Sequence, residues 1–137
     1  MEKIITIHVG HDATVFYVDE KSFLGISEER VTRIKNFYGF PFQAIEEVFI
    51  RKSINWSKIS KIIFTSTHLK NMNSYQLRRI FSGKSDDYSN EVSKLVRFDF
   101  IKSLIKKNYK SKNFDSIFRE ILKKFHYTGS IKYLDHH

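Results

Sequence analysis

The first 28 residues constrain the fold most. The runs "KIITIHV" (3–9), "ATVFYV" (13–18) and "FLGISE" (23–28) are short and rich in β-branched and aromatic side chains. The segments that separate them, "GHDA" and "DEKS", carry the Gly, Asp and Ser of tight turns. Strands joined so tightly fold back on one another, so the chain is expected to open with an antiparallel meander of three strands.

Beyond the meander, "ERVTRIKNFYGFPF" is a charged stretch that closes on Gly39 and the single proline, Pro41, both of which punctuate an element. From there Phe42, Ile45, Val48 and Phe49 recur at helical spacing, which predicts an amphipathic helix over 42–53 with Pro41 at its start. "KIIFTS" (61–66) reads as a buried strand. Residues 67–93 are polar and are expected to form a loop with a short helix around Tyr75 to Phe81. Leu95, Phe98, Ile101 and Ile105 then suggest one helix, and Phe114, Ile117, Phe118, Ile121, Leu122 and Phe125 trace another. "YTGS" ends that helix and "IKYL" resumes as a strand leading into Asp135, His136 and His137. The plan is α/β: βββαβ, a helical excursion, then β. This order resembles the first lobe of the actin, Hsp70 and sugar-kinase group, with 1–137 as one lobe and 67–130 as a mainly helical insertion.

Composition narrows the functional classes. At 137 residues the chain suits one domain, and a hydrophobic share of 41% with 15% aromatic residues excludes overall disorder. The absence of cysteine excludes a disulfide framework and a Cys-based zinc site, so any metal would be held by His, Asp or Glu; the usage fits a reducing compartment. No apolar run approaches the roughly 18 residues of a membrane span, and "MEKIITIHVGHD" has no long apolar core behind a basic start. A soluble cytoplasmic protein without a membrane partner is expected. The net charge of +9 invites a nucleic-acid partner. Eleven basic residues fall between Lys94 and Lys132 against Asp99, Asp115 and Glu120. The plainer reading of that segment is a solvated helical face.

Three stretches could carry chemistry. In "GHDAT" (10–14), Gly10 lets the backbone approach an anion closely, and His11 and Asp12 sit side by side where they could bond a hydroxyl or assist a proton transfer. An ordinary turn of the same composition is the competing reading. In "SEERVTRIKN" (27–36), two carboxylates precede Arg30, Arg33 and Lys35; these charges either pair on a solvated turn or clamp phosphate. In "DHH" (135–137), His136 and His137 would point to opposite faces of a strand, and a histidine metal pair normally needs the H-x-x-x-H spacing of one helical turn.

Taken in order, these motifs resemble the O-carbamoyltransferase family, whose members act on aminoglycoside and cephem antibiotics and on nodulation factors. That family opens with a His-Asp-Ala-Ser turn, continues to Glu-Glu-Glu-Arg-Phe-Thr-Arg-x-Lys and a Phe-Pro-x-x-Ala-Ile helix, and reaches Asp-His-His-x-x-His after a helical excursion. The matching residues are His11, Asp12, Ala13 and Thr14, then Glu28, Glu29, Arg30, Thr32, Arg33 and Lys35, then Phe40, Pro41, Ala44 and Ile45, and finally Asp135, His136 and His137. Phe16 and Tyr17 are bulkier than the family's usual residues there, and Val31 replaces a Phe.

The resemblance implies a two-part enzyme. A YrdC-like domain makes carbamoyl-adenylate from ATP and carbamoyl phosphate, and a domain similar to the tRNA threonylcarbamoyltransferase fold passes the carbamoyl group to a hydroxyl. It further implies His11 and Asp12 near the acceptor hydroxyl and His136 as first ligand of a divalent metal, iron being expected, with His137 beside it; Gly10, Arg30, Arg33 and Lys35, read above as able to meet an anion, are then the candidates for the nucleotide. The chain lacks the second metal histidine, the later nucleotide-binding lobe and the YrdC-like domain. It is therefore expected to be an N-terminal piece or split half, inactive without a complementing chain. Two rivals are a non-catalytic adaptor that binds nucleic acid or a protein through the basic helices, and a regulatory nucleotide sensor.

Overall fold

The computed structural model describes residues 2–35, 37–66 and 114–134. Alternation within the opening runs sets the sheet. In β1 (Ile4–His8) Ile5 and Ile7 are buried, and in β3 (Thr14–Val18) Val15 and Tyr17 are, while the residues between them face the other way. β3 pairs antiparallel with β1 and with β4 (Phe23–Ser27), which is the expected meander. β6 (Lys61–Thr65) then lies parallel to the other side of β1, and β7 (Ser130–Leu134) parallel to β6. The sheet order is β4-β3-β1-β6-β7. This is the α/β order of elements anticipated, a three-stranded antiparallel meander extended by parallel strands.

Two helices cover one face of that sheet. α2 (Phe42–Lys52) buries Phe42, Ala44, Ile45 and Val48 at the predicted spacing, with Pro41 just before its first turn. α3 (Phe114–Lys124) buries Phe118 and Leu122. The Phe118 ring lies 5.0 Å from Phe64, 5.6 Å from Phe40 and 6.0 Å from Trp56, so one side chain ties α3 to the sheet, to the segment before α2 and to the 3-10 turn Trp56–Lys58. Phe125, counted in the predicted stripe, is 37% exposed beyond the helix end.

The other face is uncovered in part. Phe16, Val18, Phe23 and Leu134 are exposed there, and Phe16 lies over Gly25 on the neighbouring strand. Two small elements went unforeseen: α1 (Glu28–Thr32), within the charged stretch, and a two-stranded ladder of β2 (Gly10–His11) with β5 (Tyr38–Gly39). The predicted loop and short helix of 67–93, the helix around 95–105, and Asp135, His136 and His137 lie outside the described residues. Among the described residues, no helix is long and apolar enough to cross a membrane.

Two local features govern stability. Where the chain enters β7, a Cβ added to Gly129 would collide with the Ser60 carbonyl, the same oxygen that accepts the Ser130 N–H at 3.1 Å. Gly129→Ala is expected to cost about 1–3 kcal/mol, as overpacking does. Urea unfolding measures this, and an unshifted midpoint would contradict the close approach.

In the β3–β4 turn, the Tyr17 hydroxyl donates to Asp19 at 2.7 Å, and Asp19 also accepts the Lys21 and Ser22 N–H groups. Burial, then Asp19, pushes Tyr17 up to about 12, while the Tyr17 bond first and the turn N–H bonds next lower Asp19 to about 2. The raised phenol stabilises fully below its usual 10, and the benefit is lost as pH rises toward 12. The depressed carboxyl stabilises above its usual 3.8, and that benefit is lost as pH falls toward 2. Thermal melts of Tyr17→Phe should therefore show a shallower decline on both limbs. Burial of Tyr127 and Tyr133 leaves part of the alkaline decline in place. A variant with unchanged limbs would refute the pairing.

Candidate functional site

The predicted turn stands at the end of the sheet where β1 and β6 finish. Gly10 and Gly39 face each other across the small β2–β5 ladder with φ of 108° and 148°, a conformation that disfavours side chains, so both positions require glycine. His11 pairs with Tyr38 in the same ladder, and the Tyr38 ring meets the imidazole edge-on at 4.8 Å. Asp12 takes the left-handed conformation, with φ 58°, and its carbonyl accepts the Thr14 hydroxyl at 2.6 Å. His11 and Asp12 are both exposed, held on a turn whose backbone is fixed from two sides.

Neighbouring elements lock onto this turn. The Ala13 carbonyl accepts the Glu28 N–H at 2.9 Å, which starts α1 directly beside it. The Val9 N–H donates to the Thr65 carbonyl at 3.1 Å and the Ser66 N–H to the Leu134 carbonyl at 3.4 Å, aligning the ends of β1, β6 and β7. The structure thus brings Gly10, His11 and Asp12 together. Arg30, Arg33 and Lys35 lie exposed on α1 and the residues after it. Arg33 ends α1 in the left-handed conformation, its N–H bonded to the Glu29 carbonyl at 2.8 Å. His136, the expected metal ligand, lies outside the described residues. Among the described residues, no group of three or more His, Asp or Glu side chains is placed to hold a metal ion.

The charged stretch does more than form a solvated turn. Glu28 is fully buried, and its carboxylate accepts the N–H of Ala44 at 2.7 Å and of Gln43 at 3.3 Å. Those are first-turn donors of α2, and Pro41, standing at the cap position, offers no side-chain acceptor. Glu28 caps a helix some fifteen residues away in sequence and places a negative group at its positive end. The missing cap before α2 was the available signal. Tyr38, which braces His11, and the His8–Thr65 pair, with Nδ1 and Oγ1 2.8 Å apart, carried no motif that would single them out.

Removing this cap tests how the site is held. Glu28→Ala leaves the buried Ala44 N–H and the partly buried Gln43 N–H without their acceptor and is expected to cost about 2–4 kcal/mol, with Glu28→Gln intermediate because one amide oxygen remains. Urea midpoints of the two variants check the order. Equal, small losses would show that Glu28 does not carry the cap.

A search of curated protein sequences returned no significant match. Among solved structures, YeaZ from Pseudomonas aeruginosa is similar, with a TM-score of 0.44 at 9% identity; the match covers 98% of this chain and 43% of that one, so the chain spans less than half its length. The family model described as carbamoyltransferase N-terminus matches residues 3–137, which include the turn, the charged stretch and the terminal Asp-His-His. By that match over nearly its whole length, the chain belongs to the carbamoyltransferase N-terminus family.

Proposed function

We propose that the chain is the N-terminal piece, or a separately encoded half, of an O-carbamoyltransferase that moves a carbamoyl group from carbamoyl-adenylate to a substrate hydroxyl. The observation that supports this most is the exposed His11–Asp12 turn, fixed at the end of the sheet inside a segment that matches the family throughout. In this reading His11 accepts the proton of the acceptor hydroxyl, Tyr38 keeps its ring in place and Asp12 bonds the same hydroxyl. Gly10 admits the nucleotide phosphates close to the backbone, and the exposed Arg30, Arg33 and Lys35 supply the opposing positive charge.

The reading assigns His136 to a divalent metal, iron by the family resemblance, which when bound would polarise the carbonyl or phosphate oxygen under attack. The described residues form no cluster of three ligands, so the remaining ligands belong to a complementing chain or to residues outside those described. The alternative, an adaptor that binds nucleic acid through the basic helices, rests on the Lys94–Lys132 segment, most of which lies outside the described residues.

The purified chain alone should transfer no carbamoyl group when given ATP, carbamoyl phosphate and an aminoglycoside, and should gain activity when mixed with the remaining domains of a carbamoyltransferase. In the complemented enzyme, His11→Ala is expected to lower kcat by about 10²–10⁴, the contribution typical of a positioned proton acceptor. Robust turnover by the chain alone, or full activity of the His11 variant, would refute the assignment.

A further inference from the structure

Gly10 leaves a small cradle with one polar wall. A Cβ added there would stand 3.7 Å from Cε2 of Tyr38 and 3.8 Å from Oγ of Ser66, both ordinary contact distances, so an atom of that size fits between the ring and the hydroxyl. The φ of 108° disfavours every side chain at this position, and glycine leaves the cradle to something else.

Ser66 is the first residue beyond β6, and the main chain around it is committed on both sides. The Thr65 carbonyl before it accepts the Val9 N–H that follows β1, and the Ser66 N–H donates to the Leu134 carbonyl of β7 at 3.4 Å. The hydroxyl is different: within the described residues, Ser66 makes no further hydrogen bond. Alternation along the strand puts Ser66 in the row of Ile62 and Phe64, so a buried apolar row ends in one partly buried hydroxyl beside Gly10.

Position and chemistry select the ligand. The chain runs outward from β1 through β3 to β4, then crosses by α2 to β6 and β7, so the strand order reverses between β1 and β6. Ligands of open α/β sheets bind beyond the carboxyl ends of the strands at such a point, and Gly10 and Ser66 follow those ends of β1 and β6. An uncommitted serine hydroxyl donates one hydrogen bond, and a glycine main chain lets a ligand oxygen come close, a pairing that suits phosphate. Among the exposed charges of the 10–14 turn and of residues 28–35, Asp12 and Glu29 are outnumbered by Arg30, Arg33 and Lys35.

We propose that Ser66 is a ligand-binding residue whose hydroxyl donates to a phosphate oxygen seated against Gly10. The inference rests on the nucleotide-using reading above, in which Gly10 admits the phosphates, and adds the side chain that holds one of their oxygens.

Amide NMR of the isotopically labelled chain tests it, with titrations of AMP, of inorganic phosphate and of an aminoglycoside, and with sodium chloride as the control for screening. The Gly10 and Ser66 amides should shift saturably with AMP and stay unmoved in chloride. A matching response to inorganic phosphate assigns the cradle to the phosphate group itself, whereas a response to AMP alone assigns it to the phosphate of a nucleotide. Ser66→Ala should weaken AMP binding about tenfold, the factor that one hydrogen bond to a charged group is worth, with the urea midpoint unchanged because the hydroxyl holds no other group of the chain. Ser66→Thr, which keeps the hydroxyl, should restore the affinity. Equal AMP affinity in Ser66→Ala would overturn the inference and leave the functional reading standing. A loss that Ser66→Thr does not restore would mark a packing role and overturn it too, as would a response of these amides to the aminoglycoside alone. Silence of Gly10, His11 and Ser66 with both AMP and phosphate would count against the inference and the functional reading together.

Discussion

The buried carboxylate of Glu28 is the interaction on which the rest of the structure depends. It follows directly on β4, its own N–H is bonded to the turn that carries His11 and Asp12, and its side chain holds the first turn of α2. One residue therefore links the sheet, the candidate site and the helix that covers the core. A buried charge is expensive unless it is fully bonded, and here the compensation comes from N–H groups that would otherwise lack a partner. The exposed cations that follow, Arg30, Arg33 and Lys35, are consequently presented from a rigid base.

The sheet divides its work between its two faces. The α2 and α3 face takes Ile5, Ile7, Val15, Tyr17, Ile62 and Phe64 into a continuous core with Phe118 at its centre. The opposite face keeps Phe16, Val18, Phe23 and Leu134 in solvent and the His8–Thr65 pair at its end. The candidate site lies where the strands finish, where backbone groups and turn residues are accessible and the strands fix their positions. The positive-φ glycines at 10 and 39 fit the same logic, since they let the turn and the segment before α2 approach closely enough to brace the imidazole.

Much of this was legible in the sequence, for physical reasons that differ by element. The alternation of Ile5 and Ile7 against Thr6 and His8, and the spacing of Phe42, Ile45 and Val48, report burial periodicity directly, so the meander and α2 stand where they were expected. The parallel placement of β6 and β7 was not written in either run; it follows from helical crossovers acting over long sequence separations. Glu28 was hidden because a charge run looks solvated by default, and only the geometry around Pro41 reveals that a distant cap is needed. Tyr38 and Thr65 were silent because their roles are pairwise, arising from register across strands that the local sequence does not encode. His11 and Asp12 were visible through their turn, but the ladder that stiffens it was not.

The central claim is that the turn at Gly10–Asp12 and the basic residues after Glu28 form one wall of a nucleotide-using transfer site. A crystal structure of the chain complemented by the remaining domains of a carbamoyltransferase, grown with a nucleotide, tests this most directly. The account predicts phosphate oxygens beside the Gly10 backbone and within reach of Arg30 or Arg33, with His11 facing the acceptor side. A nucleotide seated away from the ends of β1 and β6, with the 10–12 turn in open solvent, would contradict it.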